Sequence, residues 1–85
     1  MNYEIQIRRK AQKSLSKIPE PFQSNIINAI NSLSSNPHPS QSKKLTGRPA
    51  WRLKIGKYRV IYEIDNQALI ILILDIDHRK NIYRK

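Results

Sequence analysis

The spacing of apolar residues changes several times along this chain, and each change marks an element. Tyr3, Ile5 and Ile7 alternate with Glu4, Gln6 and Arg8. A period of two predicts a strand with one buried face. Ala11, Leu15 and Ile18 then recur at helical spacing among Lys and Gln, which predicts a short amphipathic helix stopped by Pro19. Pro21 suits the first turn of a second helix, where its missing N–H costs no hydrogen bond. Phe22, Ile26, Ile30 and Leu33 mark the buried stripe of that helix, with Ile27 and Ala29 beside it. Only the corner at 18–21 separates the helices, so they form a hairpin or a strongly kinked pair.

The stretch SSNPHPSQS (34–42) is polar and broken by proline, and predicts a surface loop. After it the period of two returns. Trp51, Leu53 and Ile55 alternate with Arg52 and Lys54. Gly56-Lys57 predicts a tight turn into a second strand at 58–64, with Val60, Tyr62 and Ile64 on one face and Arg59, Ile61 and Glu63 on the other. Asp65-Asn66-Gln67 turns the chain again. The apolar run at 68–74 predicts a central strand covered on both faces or nearly so, and alternation resumes at Asp75-Ile76-Asp77. The polar, basic segment 78–85 fits a short edge strand or a turn of helix. The order is strand, helix, helix, then a three-strand meander. This predicts an α+β fold: one domain over 1–85, an antiparallel sheet of about four strands, and the N-terminal helix pair packed on one face. The other face is left to Arg52, Lys54 and Arg59.

Size and charge sharpen this picture. A chain of 85 residues has room for one domain with a thin core. It has no cysteine, so disulfides and thiolate metal sites are excluded. The opening MNYEIQIRRK is polar where a secretory signal needs an apolar run, and the run at 68–74 is far shorter than the ~20 residues of a membrane helix. A cytoplasmic location without membrane attachment is expected. Sixteen Lys and Arg against six Asp and Glu give a net charge of +10. From Pro21 to Tyr62 there is no acidic residue, while Lys43, Lys44, Arg48, Arg52, Lys54, Lys57 and Arg59 all fall there. Cations set among strand segments point to a polyanionic partner, nucleic acid above all.

The residue set also limits the chemistry. His38 and His78 are far apart in sequence, and no carboxylate pair sits among them at the metal-ligand spacing that a metal-dependent nuclease requires. With Gly47 and Gly56 the only glycines, there is no glycine-rich phosphate loop. No serine sits in a nucleophile elbow. No metal or cofactor is expected. What remains is the cation cluster. Arg52 and Lys54, two apart, leave one face of a strand, and the turn at Gly56-Lys57 brings Arg59 back within reach of that face. Such a set can clamp a phosphate and neutralise charge that grows on it in a transition state. Arg79 and Tyr83, four apart near the end of the chain, could join it, Tyr83 by stacking on a base.

These residues form a pattern that resembles the RelE/ParE superfamily of bacterial toxins. It runs through KKLTGRPAWRLKIGKYRVIYEI (43–64) and DIDHRKNIYRK (75–85): Lys44-Leu45-Thr46-Gly47, a basic strand, Gly56-Lys57-Tyr58-Arg59-Val60-Ile61-Tyr62, an apolar strand, then His78-Arg79 to Tyr83. The N-terminal strand and helix pair fit as well, so the resemblance covers nearly the whole chain. It implies a RelE-like fold similar to small microbial ribonucleases, and metal-free cleavage of mRNA in the ribosomal A site. In that chemistry the 2′-OH attacks the adjacent phosphate, leaving a 2′,3′-cyclic phosphate and a 5′-OH. By position the resemblance makes Lys54 the general base or its assistant, and Arg59 the phosphate-stabilising arginine. Arg79 would stabilise charge and help the leaving oxygen, and Tyr83 would orient the substrate by stacking. Arg52 stands where the best-known RelE pattern has a second lysine. Arginine stays protonated, so Arg52 is assigned to phosphate binding, together with His78 and Lys80, and proton abstraction falls to Lys54 or His78. Lys43, Lys44 and Lys57 are expected to contact rRNA or an acidic antitoxin.

Two other readings share the fold or the charge. The ParE branch implies a non-nuclease toxin that poisons DNA gyrase, and a basic sheet could also serve a non-catalytic RNA-binding module. Both toxin branches imply a cognate antitoxin, expected to bring an amphipathic segment and acidic residues. The nuclease reading adds the ribosome and mRNA as partners.

Overall fold

A computed structural model describes residues 2–78. Strand β1 spans Glu4–Ile7, helix α1 Arg9–Ser16 and helix α2 Phe22–Ser32, and the sheet then continues through β2 (Ser42–Lys44), β3 (Trp51–Ile55), β4 (Tyr58–Asp65) and β5 (Ile70–His78). Helix α2 is started by Glu20, whose carboxylate accepts hydrogen bonds from the Ser24 backbone N–H at 3.0 Å and the Ser24 hydroxyl at 2.9 Å. A carboxylate there also meets the positive end of the helix dipole.

The α+β architecture expected from the periodicity is present, with one more strand and one different pairing. The five strands lie in the order β1-β5-β4-β3-β2. β2 to β5 form an antiparallel meander, and β1 closes the sheet by pairing parallel to β5. The added strand β2 lies at the end of the stretch read as loop. Its residues Ser42-Lys43-Lys44 carry no apolar alternation, and β3 supplies their pairing. The rest of the loop is tied down by polar contacts. Tyr62 Oη donates to the Pro37 carbonyl at 2.8 Å, and Ser34 Oγ donates to the Tyr3 carbonyl at 2.7 Å.

The helices cover one sheet face. Ala11, Ile18, Ile26, Ile30 and Leu33 meet Leu53, Val60, Tyr62, Ile71, Ile73 and Ile76 in a single core. Phe22 departs from expectation: it is 44% exposed and rests on the Tyr58 ring, with centroids 5.9 Å apart. The apolar run is also not covered on both faces. Ala68 belongs to the β4–β5 turn, donating its backbone N–H to Asp65 Oδ1 at 2.9 Å, and Ile70, Leu72 and Leu74 stay half-exposed on the open side.

β5 changes phase midway. Ile61 pairs with Asp75 but its neighbour Tyr62 pairs with Ile73, so Leu74 is an extra residue, a β-bulge. Ile73 and Ile76, three apart, can therefore both point into the core.

Candidate functional site

The β3–β4 turn sets the site. Ile55 pairs with Tyr58 across the two-residue loop Gly56-Lys57, and Gly56 has φ +58°. Among the two loop residues only Gly56 has a positive φ, the pattern of a type II′ hairpin turn, which a glycine adopts without a Cβ clash. That register puts Lys54 directly opposite Arg59. One strand further out, Lys43 is directly opposite Arg52. Opposed residues share a face, so Lys43, Arg52, Lys54 and Arg59 stand together on the side of the sheet away from the helices, on β2, β3 and β4.

Their surroundings differ. Lys43 and Lys54 are exposed and Arg52 is half-buried, whereas Arg59 is only 6% exposed. Arg59 is the one buried charged residue among the described residues. Its neighbour on the far side is Asp77 of β5. The face is thus divided. Its β2–β4 side is cationic at this end, while Glu63, Asp75 and Asp77 occupy positions on β4 and β5, and Glu4 on β1. Lys10 of α1 meets Asp75 at 3.5 Å.

Two like-charged pairs directly opposite each other, on adjacent positions of one face, oppose folding by a few tenths to about 1 kcal/mol each. A bound polyanion reverses that sign. The arrangement fits a surface that binds phosphate more readily than one that merely keeps the chain soluble.

The sequence-derived set divides accordingly. Arg52, Lys54 and Arg59 are brought together as expected, and Lys43, assigned to the periphery, joins them. Lys44 pairs with Trp51 and so faces the other side, while Lys57 sits exposed in the turn. His78 does not join the cations. It pairs with Tyr58 on the helix side, and the two rings meet edge-on with centroids 5.3 Å apart. With Ser14, Lys17, Ile18, Ile76 and Asp77 they line a shallow cleft at the end of the core. Arg79, Lys80 and Tyr83 lie outside the described residues. Sequence reasoning missed Asp77. Its link to Arg59 depends on the bulged register, which no local motif encodes.

The one described tyrosine with a shifted acidity is Tyr62, whose phenol is pushed up from 10.0 by burial, partly offset by a hydrogen bond with Ser42. It is a core group. Among the described residues no three His, Asp or Glu side chains are placed to hold a metal ion.

Comparisons with known proteins agree with this fold. Residues 5–83 match the family model described as the ParE toxin of type II toxin-antitoxin systems, parDE. Toxin RelG of Mycobacterium tuberculosis is 29% identical over 89 residues, covering 100% of both chains. The archaeal protein named RelE1 from Methanocaldococcus jannaschii is 30% identical over 88 residues, covering 99% of this chain and 98% of its own. Among solved structures, the RelE-RelB complex of Pyrococcus horikoshii OT3 superposes with a TM-score of 0.83 at 27% identity, covering 93% of this chain and 97% of that one. Motif, fold and family model converge: the chain belongs to the ParE toxin family of type II toxin-antitoxin systems, within the RelE/ParE superfamily.

Proposed function

We propose that this toxin is a ribosome-dependent endoribonuclease that cleaves mRNA in the A site and so inhibits translation. The observation that carries the reading is the cationic face itself: Lys43, Arg52, Lys54 and Arg59 on three adjacent strands, with the phosphate-binding arginine buried and the candidate base exposed directly opposite it. Adjacent strands are ~4.8 Å apart, so one phosphate can touch side chains from two of them.

In this mechanism Lys54, in its uncharged amine form, takes the proton of the 2′-OH as the oxygen attacks phosphorus. Arg59 and Arg52 hold the non-bridging oxygens and stabilise the added negative charge. The bond from phosphorus to the 5′-oxygen breaks, and that oxygen collects a proton from solvent. A 2′,3′-cyclic phosphate and a 5′-OH remain. His78, on the far side of the sheet, is not assigned the proton-abstraction role that the sequence left open. Arg79 and Tyr83 are proposed for leaving-group stabilisation and base stacking, and Lys80 for phosphate binding, from the sequence pattern alone. The site offers little apparatus for reading bases, so the ribosome supplies the substrate geometry. A cognate antitoxin is the expected second partner, supported by the RelE-RelB complexes to which this fold is similar. These roles fit a cytoplasmic protein.

The test maps 5′ ends of mRNA after brief induction, comparing wild type with Arg59→Ala. New ends inside translated frames, absent in the variant, support the reading; intact mRNA under wild-type induction refutes it. The family model's parDE description favours one second reading, inhibition of DNA gyrase without cleavage. A supercoiling assay separates the two, because a nuclease leaves gyrase activity unchanged.

A further inference from the structure

Arg59 is a buried guanidinium with a like charge on one side. Lys54 stands opposite it on β3 and repels it. Asp77 stands opposite it on β5, on the same face, and is the one acidic residue that the register sets directly across from it. Directly opposed residues have Cβ atoms ~5 Å apart, within reach of an arginine–carboxylate contact. The carboxylate is itself oriented: Asp77 Oδ1 accepts a hydrogen bond from the His78 backbone N–H at 2.9 Å. Asp77 is half-buried, so its charge is less screened than that of an exposed carboxylate.

We propose that Asp77 is a positioning residue that draws the Arg59 guanidinium toward β5 and fixes its orientation for the scissile phosphate. The row across the three strands is then base, phosphate clamp, brace. Each place has a reason. Lys54 must be exposed to meet a 2′-OH. Arg59 must be held still, because a misplacement of ~1 Å can cost on the order of 100-fold in rate. A carboxylate can do the holding without entering the reaction, while its negative charge slightly opposes RNA binding. The kinetic part rests on the proposed cleavage reaction; the structural part does not.

The contrast between binding and rate gives the test. Asp77→Asn removes the charge but keeps the shape. The expected result on programmed ribosomes is a single-turnover cleavage rate lower by roughly 10- to 100-fold, with RNA affinity unchanged or tighter. Asp77→Glu should recover part of the rate. Glu63→Gln, on the same face but away from Arg59, should change neither. An unchanged rate in Asp77→Asn overturns the proposal, and so does an equal loss of rate and affinity, which would mark a merely structural residue. A second readout needs no activity. The Arg59 Nε–H signal in NMR spectra, assigned by its loss in Arg59→Lys, should be sharp in wild type and broadened in Asp77→Asn. An identical signal in both overturns the bracing. If wild type does not cleave mRNA but the Arg59 signal broadens, the cleavage reading fails and the brace stands. Should Asp77→Asn fail to fold, Asp77→Glu carries both measurements: the longer side chain must shift the Arg59 signal and the rate, and no shift in either overturns the proposal.

Discussion

Removing a proposed catalytic lysine should make this protein more stable. Lys54 is directly opposite Arg59, whose burial lowers the screening between them. With the charged tips splayed to ~7 Å, Coulomb repulsion is about 0.6 kcal/mol in water and about twice that at half the dielectric constant. Lys54 itself is exposed, so solvent discounts the larger figure. Lys54→Gln removes the repulsion and keeps most of the stem on the strand. The expected gain is about 0.5 kcal/mol, or about 2–4 °C in Tm for a domain of this size. The assay is thermal unfolding by circular dichroism at 0.1 M and 1 M NaCl. Screening shortens from about 10 Å to about 3 Å over that range, so the gain should shrink to almost nothing in high salt. Lys57→Gln, in the turn and without a cross-strand partner, is the control and should show no gain in Tm that shrinks between 0.1 M and 1 M salt. In the same variant mRNA cleavage should fall sharply, and the salt dependence of single-stranded RNA binding should lose about 0.7 in slope for the lost phosphate contact. A lower Tm for Lys54→Gln in 0.1 M salt, or a gain that persists undiminished in 1 M salt, would refute the argument that this face is held in electrostatic tension.

Three further outcomes follow from the geometry. His78→Gln should leave the cleavage rate within about threefold and its pH profile unchanged, because the imidazole lies on the helix side against Tyr58; a lost limb in the profile would restore His78 as a base. Gly56→Ala should cost about 1–2 kcal/mol in urea unfolding, all of it from the positive φ, since an added Cβ would meet nothing within 4 Å. Tyr62→Phe should cost about 1–3 kcal/mol at neutral pH by orphaning the Pro37 carbonyl. The Tyr62 acidity is raised in the fold, so the wild-type contribution is present below pH about 10 and is lost as pH rises through the higher folded value; Tyr62→Phe should flatten that alkaline limb.

Much of this architecture was legible because the apolar spacing is clean. The helix pair, the β3–β4 hairpin and the grouping of Arg52, Lys54 and Arg59 all follow from periods of 3.6 and 2 and one glycine turn. What the sequence hid was non-local. β2 has no apolar pattern of its own, so it exists because β3 offers a partner edge. Lys43 reaches the cationic face by that same pairing. Phe22 kept the helical spacing of a core residue but sits at the first turn of α2, where the core has already ended and Tyr58 is its neighbour. His78 entered as a candidate base through its usual acidity and the family pattern, neither of which fixes the face on which it lies. One signal was available: Ile71, Ile73 and Ile76 cannot share a face in a regular strand.

That extra residue, Leu74, acts as a selector of chemistry. If β5 ran in strict alternation from Ile73, Leu74 would stand opposite Ile61, Ile76 would leave the core and stand opposite Arg59, and Asp77 would turn toward the helices opposite Tyr58. The bulge absorbs one residue and so puts a carboxylate where an aliphatic side chain would otherwise stand. A single-residue slip therefore separates a carboxylate brace from an inert isoleucine at the same arginine, on a scaffold whose other strands need not move.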